Sequence, residues 1–174
     1  MAEYKITFLS HFRYAFKISI DIILLFIGYS YFLYKNGPDT DYSTLRFFIM
    51  AFLLEFVPTV SLHLNYYSFN KKTRIESVFD SLIVNNLSHT IRFGKEDISE
   101  IVHYMSFPSR NKKIPFLPWD QYSHCIIKLK NGEQVILTSL LIYDLIPFMK
   151  KFADGIPITI EAGFYRWISK PVLD

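Results

Sequence analysis

Two long apolar runs near the N-terminus constrain this chain more than any other feature. The first, FKISIDIILLFIGYSYFLY, covers residues 16–34, and the second covers residues 47–64. A helix rises about 1.5 Å per residue, so roughly 20 residues cross a hydrocarbon core of about 30 Å. At 19 and 18 residues, both runs have that reach. Tyr29, Tyr31 and Tyr34 crowd the far end of the first run, and Tyr66 and Tyr67 follow the second. Aromatic belts of this kind mark membrane–water boundaries. Between the runs, KNGPDTDYST (residues 35–44) reads as a tight polar turn around Gly37 and Pro38. The expectation is a transmembrane α-helical hairpin with its N-terminal flank over residues 1–70, followed by a small β domain over 71–174. Composition agrees with that division, because the charged residues concentrate after Asn70. A soluble protein with a buried hairpin is the competing architecture.

Lys5, Arg13 and Lys17 precede the first run as they would in a signal peptide. No small-x-small cleavage site follows, which favours an uncleaved anchor. Both flanks of the hairpin are cationic, with Lys71, Lys72 and Arg74 after the second run. Lys and Arg favour the cytoplasmic side, so both termini are expected in the cytoplasm.

Each apolar run holds one acid, Asp21 and Glu55. Asp21 lies one helical turn after Lys17 and can pair with it while the lysine reaches the interface. Glu55 is costlier, at about 2.5–3.5 kcal/mol for a charge mid-bilayer on insertion scales. Pro58 lacks a donor and frees a carbonyl one turn back, near Leu54 and Glu55. Glu55 therefore has two readings. It is either a relay or partner contact, or a protonated side chain bonded to that carbonyl or to Thr59.

After Thr73 the period changes. Ile75–Phe79, Leu82–Asn85 and His89–Phe93 are short β-prone runs, and EDISEIVHYMSF (96–107) adds another. SHCIIKLK and EQVILTSL flank Asn131-Gly132, which reads as a two-residue type I′ hairpin turn. Ile142, Leu145, Ile146, Met149 and Phe152 then recur at helical spacing. Pro147 falls in the first turn of that helix, Asp144 is its candidate cap and Gly155 its end. The expected fold is an antiparallel half-barrel of six or seven strands capped by a C-terminal helix. Ile156–Ala162 offers a further strand in the tail, and Phe164, Tyr165 and Trp167 could lie on a membrane surface.

The segments KEDISEI, WD, CIIKLKNGEQVILTSL and YDLIPFMKKF resemble the bacterial pleckstrin-homology-like domains, including the variety found behind two membrane helices. That resemblance implies a cytosolic β-barrel-like domain with a role in binding or assembly. It carries no catalytic residues to transfer.

The sequence is otherwise poor in chemistry. His11, His63, His89, His103 and His124 show no metal-ligand spacing. His103 and His124 read as satisfied strand histidines. The lone Cys125 reads as a buried, inert thiol. Asn86-Leu87-Ser88 matches a glycosylation sequon that is meaningless in the cytosol. There is no phosphate loop and no nucleophile elbow, so no enzyme activity, cofactor or metal is expected. A net charge of +3 without a dense basic segment excludes nucleic acid as an obvious partner. One loop, SFPSRNKKIPFLPW (106–119), mixes cations with aromatics. Arg110, Lys112, Lys113, Phe116 and Trp119, extended by Lys71, Lys72 and Arg74, form a candidate contact with an anionic lipid surface. The alternative is a solvated loop whose Phe116 and Trp119 pack on the barrel. Two functions follow. One is a membrane-anchored binding or scaffold protein contacting lipid or a protein partner. The other is an accessory subunit or immunity-type component of a larger membrane complex, or of a homo-oligomer, that uses the hairpin and Glu55.

Overall fold

The computed structural model describes residues 2–37, 42–86, 89–111 and 117–169. Strand β1 (Ala2–Lys5) comes first, followed by the long helices α1 (Phe8–Asn36) and α2 (Tyr42–Asn70). Strands β2 (Arg74–Val78), β3 (Ser81–Asn86), β4 (His89–Gly94) and β5 (Ile98–Ser106) follow. A one-turn helix α3 (Phe107–Arg110) leads towards β6 (His124–Leu129) and β7 (Gln134–Thr138). Helix α4 (Leu145–Phe152) and strand β8 (Ile158–Gly163) complete the order.

The strands form two four-stranded sheets, ordered β1-β2-β3-β4 and β7-β6-β5-β8. Two expectations change here. Residues 2–5, read as a flank of the hairpin, pair antiparallel with β2, with Lys5 opposite Arg74. The hairpin is thus inserted between the first two strands of the β domain. Four residues are too few to show a period of two, which is why sequence alone left them as flank. The second change is that β8 pairs parallel to β5, so the second sheet is mixed. After α4 the chain crosses back to the free edge of β5, and a crossover of that kind gives a parallel neighbour.

The main core lies between the sheets. Ile75, Leu82, Phe93, Ile101, Ile127 and Leu137 fill it. Leu145 and Met149, one turn apart on α4, join them. Pro147 sits in the first turn of α4, and Asp144 occupies the N-cap position. Its side chain makes no capping bond. The usual donor three residues on is absent, because that residue is Pro147. The Asn-Gly turn also differs from expectation. Gly132 has φ +90°, but Asn131 does not enter positive φ, so the turn is not type I′. The Gly132 N–H donates to the Leu129 carbonyl and the Glu133 N–H to Asn131 Oδ1. That geometry belongs to a three-residue loop ending in a left-handed glycine.

Both long helices extend past their apolar runs at the base. Thr7 and Ser10 form a reciprocal capping box that starts α1. The basal turns are amphipathic and bury Tyr14, Thr59, Leu62, Asn65 and Tyr66. Above them the apolar surface is open. Both helices are long and apolar enough to cross a membrane, and the apolar window is 0% buried in α1 and 11% buried in α2.

Candidate functional site

The hairpin is joined to the β domain through a second core of Tyr14, Leu62, Tyr66, Trp119, Tyr122, Leu140 and Ile168. Directional bonds run through it. His11 Nδ1 lies 2.8 Å from His63 Nε2, and His63 Nδ1 lies 2.8 Å from the Tyr122 hydroxyl. Burial keeps that phenol protonated, well above its usual range. The Tyr66 hydroxyl donates to the Arg166 carbonyl at 3.0 Å, so its oxygen accepts from His124 Nδ1 at 2.9 Å. This fixes His124 as the Nδ1–H tautomer. Burial, with His103 and Arg166 nearby, pushes His124 down to about 3, so it is neutral at pH 7.

Two asparagines on α2 act as strand mimics. Asn65 donates to the Ile168 carbonyl at 3.1 Å and accepts its N–H at 2.9 Å. Asn70 donates to the Ile136 carbonyl and accepts the Thr138 N–H, both at 3.0 Å. Each side-chain amide satisfies one donor and one acceptor of an extended backbone. The hairpin is therefore bonded to the domain along about two turns of α2, from His63 to Asn70, rather than tethered to it.

Where β1 ends and α2 gives way to β2, Lys5, Lys71, Lys72 and Arg74 line a concavity of about 470 Å³ with Thr73 and Asn85. Antiparallel register sets Lys5 opposite Arg74. Like charges directly across a strand pair destabilise a sheet. Glu3 offsets part of this, at 3.6 Å from Lys5. Although the lining Asn85 donates to Glu76 Oε1 at 3.4 Å, none of the described residues lining the concavity is itself an acid. Its geometry suits a bound anion.

The remaining observation concerns the chain as a whole. A family model described as a PH domain matches residues 3–150, from β1 through both helices and into α4. The chain belongs to the PH domain family. Neither a curated protein nor a solved structure matches it. PH domains are in general non-catalytic binding modules that often engage lipids or proteins. In this PH domain the long helices occupy the connection between β1 and β2, inside the matched region.

The other sequence-predicted residues fall in separate places. Lys112, Lys113 and Phe116 lie outside the described residues. Arg110 ends α3. Trp119 is 8% exposed and packs against Phe164, with ring centroids 5.9 Å apart, so it is core rather than a free surface contact. Trp119 also faces a groove shared with Leu54, Val57 and Pro58 of α2. Lys71 lies thirteen residues beyond Pro58, about 20 Å of helix rise. Trp119 and the Lys71 end of α2 therefore lie apart. Asp21 and Glu55, in contrast, do come together. They lie within electrostatic reach of each other and of Lys17, whose ammonium donates to the Leu117 carbonyl at 3.3 Å. Thr59 Oγ1 donates to the Glu55 main-chain carbonyl at 2.6 Å.

Cys125 is fully buried, and burial pushes its thiol up to about 12. His124 has its partner, but neither ring nitrogen of His103 has one among the described residues. Among the described residues no group of His, Cys, Asp and Glu could hold a metal. The junction network was the feature missed in sequence. Its one local signal is the pairing His11–Tyr14 and His63–Tyr66, each three apart on otherwise apolar helices.

Proposed function

We propose that this protein is a membrane-anchored, non-catalytic binding protein. Its hairpin spans a bacterial inner membrane and its PH domain stands on the cytoplasmic side. The observation that carries this reading is the contrast along the two helices. Their bases are bonded into the domain, while the apolar turns above touch mainly each other, as at Tyr29 and Phe48, and leave most of their apolar surface open among the described residues. Water is a poor solvent for so large a continuous apolar surface, and lipid is the natural one. Both ends of the hairpin enter one sheet, so both termini belong on one side. The cationic flanks at Lys5, Arg13, Lys17, Lys71 and Lys72 favour the cytoplasm.

Lys17 and the acids Asp21 and Glu55 mark the lower membrane boundary on this reading, which shortens the α2 half of the span from the expected 47–64 to residues 42–55, about 20 Å of helix rise. The concavity of Lys5, Lys71, Lys72 and Arg74 then lies about 24 Å below it along α2. The Debye length is about 8 Å at physiological ionic strength, so the headgroup plane is screened from these cations. Their partner is an acidic segment of another protein that approaches the bilayer. Leu117, whose carbonyl accepts from Lys17, lies nearer the headgroups.

The test is a membrane fractionation of the full-length protein. It is expected in the pellet after an alkaline carbonate wash, and recovery in the supernatant overturns the anchor. A triple reversal, Lys71→Glu with Lys72→Glu and Arg74→Glu, is expected to keep the protein in the pellet. It should abolish capture of a poly-glutamate probe by the detergent-solubilised protein. Unchanged capture overturns the acidic-partner assignment.

A further inference from the structure

A cavity of about 430 Å³ opens where the base of α1 faces α4. Three charged side chains line it. Arg13 comes from α1, Asp144 from the N-cap position of α4 and Lys151 from its last turn. Much of the remaining wall is aromatic, from Tyr4 on β1, Tyr143 and Phe148. Arg13, Tyr143, Asp144 and Lys151 are exposed, and Tyr4 and Phe148 are half-buried, so a solute can touch each of them.

The wall holds Arg13 in place. Its guanidinium lies over the Tyr143 ring, 4.8 Å from the centroid. Such a contact restricts the side chain without using a hydrogen-bond acceptor. The planar fork of N–H donors stays available for a bidentate anion. Tyr4 and Phe148 meet edge to face, with centroids 5.2 Å apart. Rings fixed in this way favour a further ring packed against them.

Charge narrows the choice. Arg13 and Lys151 against Asp144 leave these three side chains one positive charge in excess. A monoanion balances that excess. A dianion overshoots it and is opposed by Asp144, while a cation meets two like charges.

We propose that this cavity is a binding site for an aromatic carboxylate. The carboxylate oxygens accept from Arg13 and Lys151, and the ring packs on Tyr4, Tyr143 and Phe148. The cavity has the volume of a small-molecule site. Two sources carry this chemistry: a free aryl acid, and the C-terminal aromatic residue of another chain. The site shares no lining residue with the cationic concavity, and the assignment stands apart from the membrane reading.

The experiment is a calorimetric titration of the detergent-solubilised full-length protein at neutral pH, against a detergent blank. The probes are phenylacetate, phenyl phosphate, phenylethylammonium and the aliphatic butyrate. Phenylacetate is expected to bind at least about tenfold more tightly than each of the others. Equal or tighter binding of phenyl phosphate or phenylethylammonium overturns the charge argument. Equal or tighter binding of butyrate overturns the role of the aromatic wall, and no binding of any probe overturns the site. This comparison needs no variant. Arg13→Gln is expected to weaken phenylacetate at least about tenfold. Asp144→Asn keeps a good N-cap side chain and removes a like charge, so it should strengthen phenylacetate about two- to fivefold. Unchanged affinity in the first variant, or a loss in the second, overturns the proposal. N-acetylphenylalanine against phenylacetate separates the sources. Tighter binding of the acetylated amino acid assigns the C-terminus of a chain, and the reverse assigns a free acid.

Discussion

The molecule has two cores of opposite character. The one between the sheets is almost wholly aliphatic, with Ile75, Leu82, Ile101, Ile127 and Leu137 at its centre. The one between hairpin and domain is aromatic, and hydrogen bonds from Tyr66, Tyr122, His63 and Asn65 thread it. Apolar burial is strong but non-directional, and tolerates many shapes of equal volume. Hydrogen bonds with imidazole and amide groups fix angles. The first core holds the sandwich together, and the second sets how the hairpin stands on it.

Acid is the widest test of that division. The unfolded chain binds protons at His103 and His124 near the usual pKa of 6.5, whereas the folded protein binds them only near 4 and 3. Between those limits the unfolded state holds more protons, so stability falls as pH drops below about 6.5. The loss is about 1.4 kcal/mol per pH unit for each histidine. His124 holds Tyr66, so Tyr66 and Arg166 should lose hydrogen-exchange protection before β6 does. Simultaneous loss would mean the two cores melt as one.

Leu137→Ala removes a fully buried side chain from the first core. It is expected to cost about 2–5 kcal/mol in denaturant unfolding. The fluorescence of Trp119, in the other core, should be unchanged in the native state. Asn65→Ala attacks the second core and strands the Ile168 backbone groups. The expected cost is about 1–3 kcal/mol, with faster exchange at Ile168 and unaltered exchange in β3. A uniform rise across both sheets would erase the distinction. Phe79 belongs to neither core. It is 98% exposed and holds φ at +50° in the tight turn between β2 and β3. Phe79→Gly relieves that conformation and is expected to raise stability by about 0.5–1 kcal/mol, read as a small rise in Tm. A fall would show that the aromatic ring has a contact that outweighs the strain.

What could be read from sequence follows the range of each interaction. The apolar runs, the strands from Arg74 onward and the amphipathic spacing of α4 are local patterns, and each became an element near the expected residues. Pro147 and Gly155 punctuated α4 for the reasons anticipated. The Asn131-Gly132 turn was placed correctly but given the wrong type, because the three-residue loop depends on how β6 and β7 register. Strand β1 was missed because its only signature is a partner far along the chain. The cationic concavity was missed for the same reason. Lys5 joins Lys71, Lys72 and Arg74 through a strand pairing that no spacing announces. Trp119 went into a core because Phe164 and the base of α2 reach it from distant segments. The tyrosine–histidine network joins residues 11, 63 and 122, and residues 66, 124 and 166. Its composition was visible and its connectivity was not.

Strand β1 leaves the ribosome first, yet Lys5 must wait 69 residues for Arg74 before its edge of the sheet can close. Everything made in the interval is hairpin. If the hairpin enters a bilayer as proposed, insertion of only one helix would leave the two halves of this pairing on opposite faces, and closure of the sheet would then select the chains whose hairpin has gone out and come back.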